Sequence, residues 1–166
     1  MNELLVMRHA KLDWSTGGGD FDRPLNSCGR SAADQMAAWL CEQQLCPDRV
    51  ISSPAARARS TAMTVVAECG TERAHVEFED DGYLADAFTW QQILAGQSIS
   101  RVLICGHNPG LDDLFDYSSS SSAPESASGK LMTTAAIAHF RVDADWADLS
   151  PASAELVQLV RPRELD

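Results

Sequence analysis

The chain has 166 residues, of which 45% are hydrophobic and 22% charged, and its formal net charge is −11. This length and composition predict a single compact globular domain over residues 1–166. The acidic balance argues against nucleic acid and against an anionic membrane as partners. No apolar run is long enough for a transmembrane helix and no signal peptide is visible, so we expect a cytoplasmic protein, by default a monomer.

Strand and helix patterns alternate through the first two thirds of the chain. Apolar runs predict strands at residues 3–8, 49–52, 75–78, 102–105, 134–142 and 155–160. Helical spacing predicts a helix after Asn26 that Pro47 stops, a helix after Pro54 that Gly70 closes, and short helices over 88–94 and 111–117. Ser53 is a plausible cap of the second helix.

This alternation predicts a three-layer αβα sandwich with a mostly parallel central sheet. The last two strands have no obvious helix between them, so one of them is expected to be antiparallel. The serine-rich segment at about residues 118–129 is predicted to be a flexible loop inserted in the domain, and whether it closes over the site is left open. The five cysteines form no CxxC pair, which predicts free thiols in a reducing compartment.

Arginine and histidine follow three of the predicted strands. Arg8 and His9 follow the first, Arg57 comes after the second, and His107 follows the fourth. In open α/β sheets the site lies beyond the carboxyl ends of the strands. Guanidinium groups bind phosphoryl oxygens with forked hydrogen bonds, and imidazole can donate to oxygen or attack phosphorus. Such a set, with no carboxylate among it, is typical of a metal-independent phosphoryl-transfer site.

Four pieces of the sequence resemble the histidine phosphatase superfamily, which includes the cofactor-dependent phosphoglycerate mutases. They also resemble its short members, the SixA-type phosphohistidine phosphatases, and the resemblance spans nearly the whole chain. The pieces are, in family order, Arg8-His9-Ala10-Lys11, Arg23-Pro24-Leu25-Asn26 with Gly29, Ser52-Ser53-Pro54-Ala55-Ala56-Arg57-Ala58 with Thr61, and Gly106-His107-Asn108-Pro109-Gly110. The chain's later segments, Trp146-Ala147-Asp148-Leu149 and Val160-Arg161-Pro162-Arg163, also look like this subgroup.

The resemblance implies a phosphoglycerate mutase-like fold and a phosphoric monoester or phosphoramidate hydrolase with neither metal nor organic cofactor. It implies that His9 attacks phosphorus and becomes a phosphohistidine, while Arg8, Arg57 and His107 bind the phosphoryl oxygens. The attacking nitrogen of His9 must be unprotonated, so its other nitrogen is expected to donate to a backbone carbonyl.

The sequence departs from the larger superfamily where many members supply an acid after the third strand. No residue of segment 79–86 fits that motif cleanly, and Asp81 and Asp86 are the weak candidates. Imidazole leaves more readily than an alkoxide, so the missing acid favours phosphohistidine or another activated phosphoryl donor as substrate, and protein phosphohistidine is the leading hypothesis. Two alternatives stay open: a phosphatase of small phosphomonoesters, and a catalytically silent module that binds phosphate or phosphoprotein.

The remaining basic residues are weaker candidates. Arg59 is expected at the surface, and His75 and His139 are expected to be structural residues of strands. Lys11 and Arg23 flank the mouth of the site, where substrate contact and simple solvation are equally open. No HExxH or CxxC motif accompanies the histidines, and nearby arginines would repel a cation, so no metal is expected at the site.

Overall fold

The computed structural model describes residues 1–15, 17–121 and 131–162, and within these ranges strands and helices alternate as the sequence predicts. The strands are β1 (Asn2–Arg8), β2 (Arg49–Ser52), β3 (Val76–Phe78), β4 (Arg101–Gly106), β5 (Ile137–Val142) and β6 (Ala154–Val160). The helices are α1 (Ser27–Glu42), α2 (Ala56–Cys69), α3 (Ala87–Ala95) and α4 (Gly110–Ser118), with short 3-10 turns at Asp20–Asp22, Arg73–His75, Asp80–Gly82 and Trp146–Asp148.

The strands form one mixed sheet in the order β3-β2-β4-β1-β5-β6. Strands β1 to β4 pair in parallel, whereas β5 is antiparallel to both β1 and β6. This confirms the mostly parallel sheet and the expectation that one of the last two strands runs the other way. Parallel pairing directs the carboxyl ends of β1, β2 and β4 to the same edge of the sheet.

A hydrophobic core lies on each face of the sheet, as three layers require. Alternate residues of β1 show this, because Leu4 and Val6 belong to one core and Leu5 and Met7 to the other. Helices α1 and α2 cover the second face, and α3 and α4 cover the first. The αβα sandwich is therefore confirmed, and β1, β2 and β4 are buried on both faces, as their continuous apolar runs predict.

The beginning of α1 and the end of α2 lie where local sequence chemistry predicts. The Asn26 side chain accepts a hydrogen bond from the Gly29 N–H at 2.7 Å, which caps α1. The predicted inner face of α1 is fully buried: Ala33, Met36, Ala37 and Leu40. Helix α2 ends at Gly70, whose φ of 68° is the left-handed conformation that glycine adopts without strain. No helix in the described part of the chain is long and apolar enough to cross a membrane.

Several element boundaries differ from the predictions. His75 ends a 3-10 turn and β3 begins only at Val76, so the prediction that His75 lies within a strand is wrong. Helix α1 ends at Glu42, well before Pro47. Ser53 does not cap α2, which begins at Ala56 after an N-cap residue without a side-chain hydrogen bond.

The serine-rich segment lies only in part within the described residues, and residues 122–130 lie outside them. Its first residues belong to the fold. Ser118 is the buried last residue of α4, and the Ser120 N–H donates to the Ala154 carbonyl at 2.8 Å.

Candidate active site

The predicted strand ends meet at the carboxyl edge of the sheet. Arg8 is paired in register with Gly106, so the next residues along both strands, His9 and His107, become neighbours. The His9 N–H donates to the Gly106 carbonyl at 3.1 Å, which fixes this register one residue beyond the strand. The two imidazole ring centroids are 5.2 Å apart. The structure thus brings both histidines together at the edge where the sequence predicts a site.

His9 is held in a defined tautomer by its own neighbour. The ring is 4% exposed, and Nδ1 lies 2.7 Å from the Ala10 carbonyl oxygen. Because a carbonyl only accepts, Nδ1 carries the proton and Nε2 keeps its lone pair. Burial lowers the pKa of His9 to about 4, opposed by the Ala10 carbonyl and reinforced by the charges of Arg8 and Arg57. Near neutral pH, His9 is therefore an uncharged imidazole with a free Nε2.

A second contact fixes the backbone of this segment against α2. The Ala10 N–H donates to the Thr61 hydroxyl at 3.0 Å, and that hydroxyl donates to the Arg57 carbonyl at 2.8 Å. Thr61 therefore couples the residue after His9 to the first turn of α2. This gives the threonine of the third motif piece a physical role in positioning His9 relative to Arg57.

His107 contacts Ser53, a residue of the third motif piece for which the sequence predicts only the role of a helix cap. The Ser53 hydroxyl lies 2.7 Å from His107 Nε2, and it also accepts the Ala55 N–H at 3.3 Å. Burial, reinforced by Arg57 and His9, lowers the pKa of His107 to about 3. His107 Nδ1 is buried and has no hydrogen-bond partner among the described residues. The position of Ser53 directly after β2 was the available signal for its place at the site.

Two guanidinium groups flank the histidines. Arg8 Nη1 donates to the Met132 carbonyl at 3.1 Å. Arg57, in the first turn of α2, is 5% exposed and donates from Nη1 to the Asp20 backbone carbonyl at 2.8 Å. The Nε atoms of both arginines are buried without a partner within the described ranges. Two guanidinium groups thus lie together in a protein of net charge −11, and their forked donors suit a compact anion.

A carboxylate does reach the site, which corrects the expectation that none is present. Asp20 Oδ2 lies 3.0 Å from Arg57 Nη2 and accepts the Tyr83 hydroxyl at 2.6 Å. The Tyr83 hydrogen bond and the Arg57 charge hold the pKa of Asp20 below its usual value. Asp20 is therefore ionised near neutral pH and has no proton to give.

Tyr83, which is bound to the Asp20 carboxylate, makes an edge-on aromatic contact with the His107 imidazole. The Tyr83 ring centroid is 5.5 Å from that of His107, and Phe21 stacks edge-on against Tyr83 at 5.0 Å. Sequence reasoning missed Asp20 because it lies in an aperiodic glycine-rich loop. Tyr83 lies between Asp81 and Asp86, but the motif expected in segment 79–86 is an acid, so the sequence pattern assigns no role to a tyrosine there.

The two aspartates named as weak acid candidates lie away from the histidines. Asp86 caps α3 by accepting the Thr89 N–H at 2.8 Å, and its side chain is exposed. Asp81 is exposed in the 3-10 turn Asp80–Gly82. Neither has a hydrogen bond or ion pair to Arg8, His9, Arg57 or His107 within the described residues.

The other basic candidates lie outside the cluster. Arg59 is exposed and its guanidinium stacks 4.1 Å from the Phe78 ring, so the surface prediction is confirmed. His139 is buried in β5, 3.6 Å from Glu3. Lys11 is exposed, and Arg23 stacks on the exposed Trp14 ring at 4.9 Å in the loop that carries Asp20.

Comparisons with known proteins agree with this geometry. The family model of the histidine phosphatase superfamily (branch 1) matches residues 4–81. An uncharacterised protein of Mycobacterium tuberculosis is 32% identical over 163 residues, which cover 95% of this chain and all of that protein. The chain belongs to the histidine phosphatase superfamily. An uncharacterised chloroplastic protein of Arabidopsis thaliana is 31% identical over 121 residues, covering 66% of this chain and 56% of that protein.

Solved structures place this histidine phosphatase beside the SixA-type members. The proposed phosphohistidine phosphatase SixA of Nakamurella multipartitia is 28% identical, with a TM-score of 0.80 over 97% of this chain and 96% of that one. The protein histidine phosphatase SixA complexed with tungstate shares the fold at a TM-score of 0.81, with 23% identity and 99% coverage of both chains. The fold is phosphoglycerate mutase-like and the superfamily membership supports phosphatase activity.

Proposed function

We propose that this histidine phosphatase, with residues 1–166 as one domain, removes phosphoryl groups from protein phosphohistidine through a phosphohistidine intermediate on His9. One observation carries the proposal. His9 Nδ1 is bound to the Ala10 carbonyl at 2.7 Å, so Nε2 of a buried, uncharged imidazole keeps its lone pair in a cluster that also contains His107, Arg8 and Arg57. That is the protonation state and setting that a nitrogen nucleophile needs.

The proposed reaction has two balanced steps. In the first, the Nε2 lone pair of His9 forms a bond to phosphorus while the bond from phosphorus to the substrate imidazole breaks, and that imidazole takes a proton from solvent. In the second, water attacks the phosphorus, the N–P bond of His9 breaks, and inorganic phosphate leaves. Arg8 and Arg57 donate to the equatorial oxygens, where negative charge is spread in the transition state.

The charge states of the site support an activated leaving group. Asp20, the carboxylate bound to Arg57, is ionised, and His107, with a pKa of about 3, is a neutral imidazole, so neither is an acid that could protonate a leaving group near neutral pH. An alkoxide leaving group needs such a donor, because its conjugate acid is far weaker than imidazolium. The site is therefore better matched to a phosphoramidate than to an ester of an aliphatic alcohol.

The surroundings of the site support a protein as substrate. Trp14 is 71% exposed, Leu84 58% and Phe21 40%, although each is a large apolar residue. Phe21 contacts Tyr83, which contacts His107, so the apolar surface reaches the mouth of the pocket. Exposed aromatic side chains of this kind are typical of surfaces that contact another protein.

The deciding experiment compares hydrolysis rates on a phosphohistidine-bearing protein with rates on a panel of sugar and nucleotide phosphates. Higher kcat/KM on the phosphoprotein is expected. Brief incubation should label the wild-type protein with a phosphoryl group that is acid-labile and alkali-stable, and His9→Ala should lose both label and turnover, by roughly a thousandfold or more for the latter.

A matched control is His139→Ala, which removes a buried histidine of β5 outside the cluster and should keep the label. Turnover that survives His9→Ala would refute the mechanism. Faster hydrolysis of the small esters would instead support the phosphomonoesterase alternative. Phosphate binding without any turnover would identify a silent binding module.

A further inference from the structure

Three cysteine thiols lie together at the edge of the sheet opposite His9. Cys41 is in the last turn of α1, Cys46 is in the loop that leads to β2, and Cys69 is the last residue of α2. Cys41 Sγ lies 3.2 Å from Cys46 Sγ and 3.6 Å from Cys69 Sγ. All three sulfurs lie within 4.8 Å of one another, and no ion is present. Each residue is half-buried and each thiol is free.

We propose that Cys41, Cys46 and Cys69 bind one thiophilic d10 metal ion, Zn²⁺ or Cu⁺, as three thiolate ligands. Metal–sulfur bonds of about 2.3 Å with tetrahedral angles put the sulfurs about 3.8 Å apart. The Cys41–Cys46 pair at 3.2 Å would therefore have to open by about 0.6 Å and the Cys41–Cys69 pair at 3.6 Å by about 0.2 Å. Thiolates select these ions over the hard cations Mg²⁺ and Ca²⁺. Three protein ligands suffice for trigonal Cu⁺, and Zn²⁺ would add water as a fourth.

The backbone around the thiols favours a cation. Helices α1 and α2 both end here, and helix C-termini carry partial negative charge and unpaired carbonyls. The Glu68 carbonyl oxygen is 3.4 Å from Cys41 Sγ. One cation is close by: Arg101 at the start of β4 donates to the Cys46 carbonyl at 3.3 Å. Arg101 Nε lies 2.6 Å from Glu3 Oε2, and this ion pair neutralises the charge of Arg101. Arg101 therefore adds no net positive charge beside the thiols.

A metal ion would bind all three thiols, whereas a disulfide would join only two of them. A disulfide joins two sulfurs at about 2.05 Å and leaves the third thiol over, and it needs an external oxidant. A metal ion engages all three and ties the loop of Cys46 to the ends of both helices. Sequence motifs do not reveal this site, because Cys41 and Cys46 are separated by four residues and the third ligand comes from another helix.

The test uses the full chain, reduced and freed of metal by chelation under anaerobic conditions. Zn²⁺ is titrated in competition with a chromophoric chelator, Cu⁺ in competition with a Cu⁺-specific chelator, and Co²⁺ is added separately as a spectroscopic substitute. We expect one ion per chain and, for Co²⁺, intense near-ultraviolet absorption from thiolate-to-metal charge transfer. Cys46→Ser should weaken binding at least roughly tenfold, since it removes a direct ligand.

The control variant is Cys28→Ser, at the exposed start of α1, which should bind like wild type. His9→Ala separates this site from the proposed active site and should also bind like wild type. If Cys46→Ser is poorly folded without metal, Cys69→Ala is used in its place.

Three results would overturn the proposal: no metal uptake at micromolar concentrations, equal uptake by the cysteine variants, or loss of uptake in His9→Ala. Oxidation to a disulfide with no metal uptake by the reduced protein would also overturn it and would identify a redox pair instead. Metal binding is measured here without any hydrolysis assay. The result therefore stays valid even if the proposed phosphatase mechanism is wrong.

Discussion

The two ends of helix α2 carry opposite chemistry. At its beginning, beside the carboxyl ends of the strands, Arg57 reaches the pocket of His9 and His107. At its end, Cys69 meets two other thiols beside the amino ends of the strands. A helix has partial positive charge at its N-terminus and partial negative charge at its C-terminus. One element can therefore serve an anion site at one end and a cation site at the other.

The comparison also shows that the topology of the fold alone gives the two edges of the sheet opposite electrostatic polarity. Every helix of a parallel α/β unit returns from the carboxyl edge of the sheet to its amino edge, so the polarity of the two edges is set by topology. Side chains then decide the use of each edge. Guanidinium and imidazole groups add to the positive potential of the carboxyl edge and so favour an anion there, whereas thiolates at the electronegative amino edge need a metal ion to offset their charge.

The sharpest way to break this comparison is Arg57→Ala. We expect kcat/KM to fall by about a hundredfold or more, because a forked, charge-assisted contact to the transferring phosphoryl group is lost. Metal binding at the other end of α2 should stay unchanged. The matched control is Arg59→Ala, two residues along, which removes an exposed guanidinium stacked on Phe78. Equal losses in the two variants would mean that charge in general, and not the placement of Arg57, supports activity.

The second prediction concerns protonation of the two histidines. In the unfolded chain a histidine has a pKa of about 6.5, whereas burial lowers that of His9 to about 4 and of His107 to about 3. As pH falls below 6.5, His9 and His107 therefore become protonated in the unfolded state while they stay uncharged in the folded state. The free energy of unfolding should decrease between pH 6.5 and 4 by on the order of 1 kcal/mol per pH unit. The stability contributed by the two uncharged histidines is fully present above pH 6.5.

Urea unfolding at a series of pH values measures this slope, and imidazole NMR signals report the individual pKa values. His9→Gln should reduce the slope, because one of the two groups no longer titrates. A pKa near 6.5 for His9 would show that the imidazole is solvated. It would also remove the physical basis for an uncharged nucleophile next to two arginines.

The third prediction separates the roles open to Asp20. Its carboxylate competes with phosphate for Arg57, so Asp20→Asn should tighten inhibition by inorganic phosphate about three- to tenfold, as loss of one ion pair between a buried guanidinium and a half-exposed carboxylate allows. Asp22→Asn, in the same 3-10 turn, is the control. If Asp20→Asn instead slows aliphatic phosphate esters far more than phosphohistidine, Asp20 acts as a proton donor, and the argument from the leaving group fails.

Much of this fold is predictable because its signals are local. Apolar runs, the Asn26 cap and Gly70 define most elements, and the rule of strand ends brings His9 and His107 together. Residues that depend on tertiary contacts are the ones missed. Ser53 reads as a cap until β4 places His107 beside it, and Asp20 lies in a loop with no period. The thiol cluster joins two helices and a loop, which no single window of sequence contains.

The smallest effect is expected at the thiol end of α2, from Gly70→Ala. Gly70 closes the helix at φ 68°, and no atom lies within 4 Å of where a Cβ would stand, so the change adds backbone strain without a clash. Stability should fall by about 1 kcal/mol, measured as the midpoint of urea unfolding. The kcat/KM should be unchanged, because the active-site end of α2 is fixed separately through Thr61 and Ala10. A parallel loss of activity would show that the two ends of the helix are coupled and that the anion and cation sites do not act independently.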